Sequence, residues 1–251
     1  MCTSKGVPLE TPKAIRKFWT DKLHSSADGM SPAGAKNAPG SSKWLTEGTR
    51  FLKGTEFIEL VRIRINALPC LSRTKRGQNV PKTCRAGCTQ LESLGHILQK
   101  CHRTHHERIR GHDTITRQIA KRLRELGFEV QKEPHFKTPQ GERIPDVVVK
   151  RDTQSAILDV QVVGTRAPLS QVHLAKTMKY MDKSILDKVG GRPLVSSITI
   201  TYRGIWARES VQTLRDLGFT ANDFKVITIR CLQGGIGAFA VHRHITTTLS
   251  G

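Results

Sequence analysis

Two carboxylates interrupt a pair of apolar, β-branched segments in the stretch RIPDVVVKRDTQSAILDVQVV, residues 143–163. The alternation of side chains in these β-branched segments predicts two strands, at about residues 144–150 and 156–163, joined by a four-residue turn. If these strands pair across the turn, Asp146 faces Asp159 with Cβ atoms about 4.5–5.5 Å apart. A buried charge without a partner is costly. A divalent cation can bridge this separation.

The two faces of the predicted hairpin differ in chemistry, in the register that places Lys150 opposite Ser155. Because side chains alternate along a strand, one face carries the two carboxylates together with Val148 and Gln161, whereas the other is an aliphatic core face: Val147, Val149, Leu158, Val160 and Val162. Close carboxylates repel, so one pKa is raised, the register slips, or a hard cation such as Mg²⁺ binds between them. The residues alone leave these alternatives open.

A Cys/His cluster, CRAGCTQLESLGHILQKC, has the spacing Cys84-x3-Cys88-x7-His96-x4-Cys101. Thiolate and imidazole ligands so close together suit a closed tetrahedral Zn²⁺ site and favour it over unconnected Cys and His. The set leaves no open coordination position, and the chain has no HExxH motif, so the predicted zinc is structural. The neighbouring histidines are expected to be basic surface groups: His102, His105 and His106.

The segment SQVHLAKTMKYMDKSILDKVGG predicts one helix from Ser170 to Val189, with an apolar stripe that includes Met178. Lys176 and Tyr180 are four residues apart and therefore lie on one side of such a helix. The alternative is an ordinary solvated face.

The overall charge points to a polyanionic partner. The 251 residues contain 41 Lys and Arg against 21 Asp and Glu, a formal net charge of +20, and the basic residues are spread through periodic segments instead of forming one tail. No run of about 18 uninterrupted apolar residues and no signal-peptide core occur, which predicts an intracellular protein without a membrane partner. Three of the six cysteines lie in the cluster, which favours a metal over disulfides.

Composition and periodicity divide the chain into three expected parts: a flexible basic linker (1–43), a helical linker containing the zinc knuckle (44–102), and a third domain (103–251). A helix over residues 55–68 should point Arg62 and Arg64 outward. The last part has the predicted order α-β-β-β-α-β-α-β, with Gly111 weakening the first helix and residues 224–232 as the last strand. This order predicts an α/β fold with a mixed sheet flanked by helices.

The acid pair after Pro145 resembles the PD-(D/E)xK nuclease superfamily, although Gln161 stands where that motif has its Lys. The ordered set of knuckle, Pro-Asp, second acid and Lys-x3-Tyr is similar to the C-terminal region of site-specific non-LTR retrotransposon polyproteins, of the type-1 kind that insert into large-subunit ribosomal RNA genes. There the motif Lys is displaced to a helix, which matches Lys176 with Tyr180. The family often has Lys or Arg where this chain has Ile144.

The resemblance implies that the third domain (103–251) is a restriction-enzyme-like DNA endonuclease domain in which Asp146 and Asp159 hold catalytic Mg²⁺ and Lys176 and Tyr180 assist. It also implies double-stranded ribosomal DNA as the target, element RNA as a further partner, an upstream reverse transcriptase and a nuclear location. No YxDD-type polymerase motif occurs in the chain. Two other functions stay open, namely a nucleic-acid-binding module with a decayed nuclease core and a stand-alone repair or resolvase-type nuclease.

Overall fold

The computed structural model describes residues 11–26, 28–47, 52–166 and 168–248. Over these ranges the chain forms helices and strands in the following order: α1 (Pro12–His24), α2 (Gly54–Arg64), α3 (Leu71–Thr74), α4 (Leu94–Gln99), α5 (His105–Glu125), β1 (Glu129–Lys132), β2 (Phe136–Thr138), β3 (Gly141–Arg143), β4 (Val147–Arg151), β5 (Gln154–Val163), α6 (Leu169–Thr177), α7 (Lys183–Val189), β6 (Leu194–Thr201), α8 (Arg208–Asp216) and α9 (Ala221–Thr248).

The main sheet has four strands in the order β1-β4-β5-β6. The first two pairings are antiparallel and the pairing of β5 with β6 is parallel. Helices α5, α8 and α9 pack on one face, and α7 packs on the other. The expected α/β class with a mixed, helix-flanked sheet is therefore confirmed. A small second hairpin, β2 with β3, was not predicted.

The register of the β4–β5 hairpin is the predicted one, with Lys150 opposite Ser155 and Val147 opposite Leu158. The turn is shorter than predicted, because both strands extend toward it and leave only Asp152 and Thr153 between them. Asp152 has a φ of 51°, and Asp tolerates this left-handed conformation better than most residues. Continued by one residue beyond the start of β4, this register places Asp146 opposite Asp159.

Both faces of the hairpin are buried, so the prediction of a single core face was wrong. The aliphatic face packs in the main core as expected. On the carboxylate face, Val148 and Ile157 form a second core with Tyr180, Ile185 and Val189. This second core buries the polar side chains beside it.

The predicted helix from Ser170 to Val189 is two helices, α6 and α7, separated by a 3₁₀ turn at Met178–Tyr180. Asp182 begins α7, because its side chain accepts a hydrogen bond from the Ser184 amide at 2.9 Å. The break changes the faces in part: Ile185 and Val189 of the predicted apolar stripe are buried, but Met178 is exposed and Tyr180 is buried.

The predicted strand at residues 224–232 is instead part of the 28-residue helix α9. Thr220 and Asp223 exchange hydrogen bonds at the start of this helix, a capping arrangement that favours a helix over a strand. By length and composition α9 could cross a membrane, a property it shares with core helices of soluble proteins. Phe224 and Ile227 pack in the main core, and Leu232, Ala238 and Phe239 pack in a neighbouring one.

The N-terminal segment is packed where the structure describes it. The 3₁₀ turn Pro39–Leu45 lies against α9, with Trp44 fully buried, and a Cβ at Gly40 would lie 2.4 Å from the Ala221 carbonyl oxygen. Arg64 is buried, not outward as predicted, and donates to the carbonyl oxygens of Arg203 and Gly204. Burial lowers its pKa to about 10. The division into linker, knuckle and nuclease domains stays a prediction.

Gly111 does not weaken or break helix α5, contrary to the prediction. At this residue α5 crosses α9 so closely that a Cβ built on Gly234 would lie 3.1 Å from the Gly111 Cα. The two glycines therefore allow contact between the helix backbones.

Candidate active site and metal centre

Two side chains from other elements meet Asp159 in the middle of β5. Lys176 Nζ, from α6, lies 2.8 Å from Asp159 Oδ2, and the Tyr180 hydroxyl donates to Oδ1 at 2.5 Å. Lys176 lies near the end of α6, and Tyr180 is the last residue of the 3₁₀ turn that follows. The structure thus brings these predicted site residues together, although they lie on α6 and the 3₁₀ turn instead of on one continuous helix.

Burial is the main influence on the charge of Asp159, whose side chain is only 5% exposed. It raises the pKa of Asp159, and the nearby Asp146 carboxylate adds to this shift. The hydrogen bonds from Lys176 and Tyr180 act in the opposite direction. Burial, followed by the contact with Asp159, raises the pKa of Tyr180, so the phenol keeps its proton and remains a donor.

Asp146 is held by one backbone group and one histidine. Its Oδ2 accepts a hydrogen bond of 2.6 Å from the Val160 amide and lies 3.3 Å from His112 Nε2 on helix α5. The same nitrogen lies 3.1 Å from the Val160 carbonyl oxygen. The contact with Asp146 is the largest cause that raises the pKa of His112 to about 9.

Sequence reasoning missed His112 as a site residue. It precedes Asp113 in a basic amphipathic helix, and nothing in its spacing connects it with a strand 48 residues away. Only the packing of α5 across the sheet brings the ring to Asp146.

Gln161 occupies the position two residues after the second acid. Its amide nitrogen lies 2.8 Å from the Thr199 hydroxyl and 3.0 Å from the Ser197 hydroxyl on β6. It also lies 3.2 Å from the Val172 carbonyl oxygen. Gln161 therefore joins strands β5 and β6 to helix α6, which carries Lys176.

The donors at the acid pair have the chemistry that Mg²⁺ prefers. Asp146 and Asp159 supply carboxylate oxygens, and the Val160 carbonyl oxygen lies near Asp146 through their common contact with His112. Asp159 Oδ2 is buried and has Lys176 Nζ as its ion-pair partner at 2.8 Å. The residues fit an oxygen-ligated divalent cation, although the cation itself stays a proposal.

The four predicted knuckle residues also come together. The ligand atoms of Cys84, Cys88, His96 and Cys101 all lie within 4.8 Å of one another. Cys84 and Cys88 flank a turn in which Gly87 has a φ of 88°, and His96 lies on the short helix α4 that precedes Cys101. This cluster could hold a zinc ion.

The detailed geometry of the cluster fits Zn²⁺. Cys88 Sγ and Cys101 Sγ are 3.8 Å apart, the separation expected of two sulfurs at about 2.3 Å from one tetrahedral ion. His96 Nδ1 contacts Gln90 Oε1 at 3.2 Å, whereas its Nε2 is buried without a hydrogen-bond partner. That arrangement leaves Nε2 as the ligand atom.

Burial favours the protonated form of the Cys84 and Cys101 thiols, because it raises the pKa of each. Burial raises the pKa of Cys84 to about 12, and the neighbouring Cys101 and Cys88 add to the shift. A bound cation would reverse this by displacing the protons. His102, expected to be a surface group, is exposed but contacts Cys88 Sγ through Nδ1 at 3.2 Å.

Comparison with known proteins finds several relatives of the chain, although no family model matches it. The retrovirus-related Pol polyprotein from type-2 retrotransposable element R2DM of Drosophila melanogaster is 33% identical over 234 residues, covering 90% of this chain and 22% of that protein. The Pol polyprotein from type-1 retrotransposable element R2 of Nasonia vitripennis is 34% identical over 235 residues, which cover 90% of this chain and 23% of that protein. The chain is related to one region of the R2-type Pol polyproteins.

A third R2 Pol polyprotein, from Bradysia coprophila, is 29% identical over 243 residues and covers 94% of the chain. These relationships confirm the resemblance to non-LTR retrotransposon polyproteins that the motifs indicated. The chain spans about a quarter of the length of the R2 relatives it matches.

Proposed function

We propose that this chain is the metal-dependent DNA endonuclease region of an R2-type Pol polyprotein, with a PD-(D/E)xK nuclease core. The observation that carries the proposal is the convergence of Lys176 and Tyr180 on Asp159, beside Asp146. A buried pair of acids that can bind a metal ion, together with an adjacent lysine, can support phosphodiester hydrolysis. The relationship to retrotransposon polyproteins suggests what such a cut is for, namely insertion of the element into DNA.

In the proposed mechanism, Asp146 and Asp159 would hold Mg²⁺, which would supply Lewis-acid stabilisation of the scissile phosphate and activation of a water nucleophile. Tyr180 keeps the Asp159 carboxylate in one orientation through its hydrogen bond. Lys176, whose side chain is 29% exposed, orients the water at the solvent boundary and stabilises negative charge that develops on the phosphate. Gln161 anchors the helix that carries this lysine.

The proposed substrate is double-stranded DNA in a ribosomal RNA gene. The net charge of +20 suits the phosphate backbone. Cleavage would leave a 3′ hydroxyl that primes reverse transcription of element RNA by a polymerase elsewhere in the parent polyprotein. This role places the protein in the nucleus.

The proposed zinc site has a structural role. Cys84, Cys88, His96 and Cys101 would hold the ion, which would fold the knuckle and fix the basic groups around it. No reaction is assigned to this centre.

A second candidate function is a binding module without catalysis. Two observations favour the binding module. Gln161 replaces the usual motif lysine, and both carboxylates already have protein partners. The two functions differ in cleavage and agree in DNA binding.

The deciding experiment is nicking of a supercoiled plasmid that carries a ribosomal RNA gene target, with and without Mg²⁺. Wild type should nick the plasmid only with Mg²⁺, and Asp159→Asn should abolish nicking while DNA affinity in a gel-shift assay stays within about threefold. Asp152→Asn is the matched control, because Asp152 lies in the turn of the same hairpin and is exposed. Lys176→Ala should lose activity, whereas the exposed Lys179→Ala should keep it.

Nicking that survives Asp159→Asn would refute the assigned site. DNA binding by wild type with no Mg²⁺-dependent nicking would favour the binding module. Equal activity on branched DNA without the ribosomal sequence would favour the repair-type nuclease.

A further inference from the structure

A buried histidine near the end of α9 reaches the knuckle from outside. His242 is 1% exposed, and its Nε2 lies 3.3 Å from Cys84 Sγ. The sequence predicts no role for the His-Arg-His segment of residues 242–244 beyond a basic surface, so this contact is a finding of the structure.

With zinc in the knuckle, the chemistry of the contact would fix which atom is the donor. A thiolate that ligates zinc has only lone pairs to offer, so the facing nitrogen must carry the hydrogen. His242 Nε2 is also 3.8 Å from Glu92 Oε2, a second acceptor on the same side. The ring therefore fits an N–H donor to sulfur.

Glu92 is already engaged and does not complete a second metal site with Cys84 and His242, although the three lie close together. Its carboxylate is fully buried and accepts hydrogen bonds from the Leu71 amide and from the backbone and guanidinium of Arg85. With these partners in place, His242 is better explained as a support for the four-residue site than as a ligand of another ion.

Helix α9 connects this contact with the nuclease core. Near the knuckle, Ala238 and Phe239 pack with Leu94, Ile97 and Leu98 from the segment that carries His96. Toward its start, Phe224 and Ile227 pack in the core of the main sheet. The same helix thus contacts both parts.

We propose that His242 is a positioning residue for the zinc site, donating a hydrogen bond from Nε2 to the Cys84 thiolate. Zinc binding and the docking of the C-terminal part of α9 then stabilise each other, because a coupling between two equilibria is reciprocal. The proposal rests on zinc occupying the knuckle and is independent of nuclease activity.

The test uses the full chain and compares His242→Leu, which keeps side-chain volume, with His242→Gln, which also keeps an N–H donor. His244→Leu is the control, two residues along the same helix and exposed. Zinc affinity is measured by competition with a chromophoric chelator, and the ligand set is followed by Co²⁺ absorption. We expect His242→Leu to weaken zinc binding about 10- to 100-fold, with His242→Gln and His244→Leu near wild type and a tetrahedral Co²⁺ spectrum throughout.

Unchanged zinc affinity in His242→Leu would overturn the proposal. Equal losses in the Leu and Gln variants with a changed Co²⁺ spectrum would also overturn it, because His242 would then be a ligand. Should the Leu variant not fold, hydrogen exchange in wild type decides: zinc removal must speed exchange in residues 238–246, and no change there refutes the coupling. A wild type that binds no zinc would refute the zinc site itself, whatever the nicking assay shows.

Discussion

Replacing His112 with glutamine should remove a pH-dependent part of the protein's stability. His112 lies against Asp146 and the Val160 carbonyl oxygen, and these contacts raise its pKa from 6.5 to about 9. A folded-state pKa above the unfolded value means that the charged ring stabilises the native state. The contribution is complete below pH 6.5 and is lost as the pH rises through 9.

The magnitude follows from the pKa difference of about 2.5, which at about 1.36 kcal/mol per unit corresponds to about 3.4 kcal/mol. The His112 side chain is 32% exposed, and solvent screening reduces the effect to about 1–2 kcal/mol. Wild type should therefore lose about 1–2 kcal/mol more unfolding free energy than His112→Gln between pH 6 and pH 10.

Urea unfolding at both pH values, in zinc-containing buffer without Mg²⁺, measures this difference. His106→Gln, an exposed histidine on the same helix, should behave as wild type. Groups that are common to all three proteins contribute equally and cancel in the comparison. Parallel pH profiles for wild type and His112→Gln would refute the assigned ion pair.

Three further outcomes follow from contacts near the site. Tyr180→Phe should lower the unfolding free energy by about 1.5–3 kcal/mol, because the hydrogen bond to the buried Asp159 is lost. A loss of less than about 0.5 kcal/mol in urea unfolding would contradict this prediction. Gln161→Leu should speed hydrogen exchange in α6 and lower the nicking rate without weakening DNA binding, whereas unchanged exchange would show that α6 does not need this amide. Gly234→Val should destabilise the protein by about 1–3 kcal/mol, since the new side chain meets Gly111, and a thermal shift assay showing no loss would argue against the close crossing.

The hairpin register was predictable from sequence because two constraints agree. Strand alternation fixes which residues share a face, and a short turn between Lys150 and Ser155 limits the ways in which the strands can pair. The knuckle was predictable for a similar reason, since its four ligands lie close together along the chain.

The failures concern contacts between distant segments. The β-branched run after Phe224 suggested a strand, although its buried residues have helical spacing and Thr220 with Asp223 provides a helix start. The helix break after Thr177 depends on Asp182 and on burying Tyr180 in the second core. His112 and His242 each reach a site across more than 30 residues of sequence, a relation that a single sequence does not display.

Helix α9 also sets the distance between the sheet core and the knuckle. Between Phe224 in the sheet core and His242 at the knuckle it advances 18 residues, or about 27 Å at 1.5 Å per residue. A rod of this length keeps the knuckle at a constant offset from the sheet core, equivalent to about eight base pairs along a DNA duplex. If the sheet cuts DNA as proposed and the knuckle contacts the same duplex, the distance between the knuckle footprint and the cut would be set by the protein, independent of the DNA sequence between them.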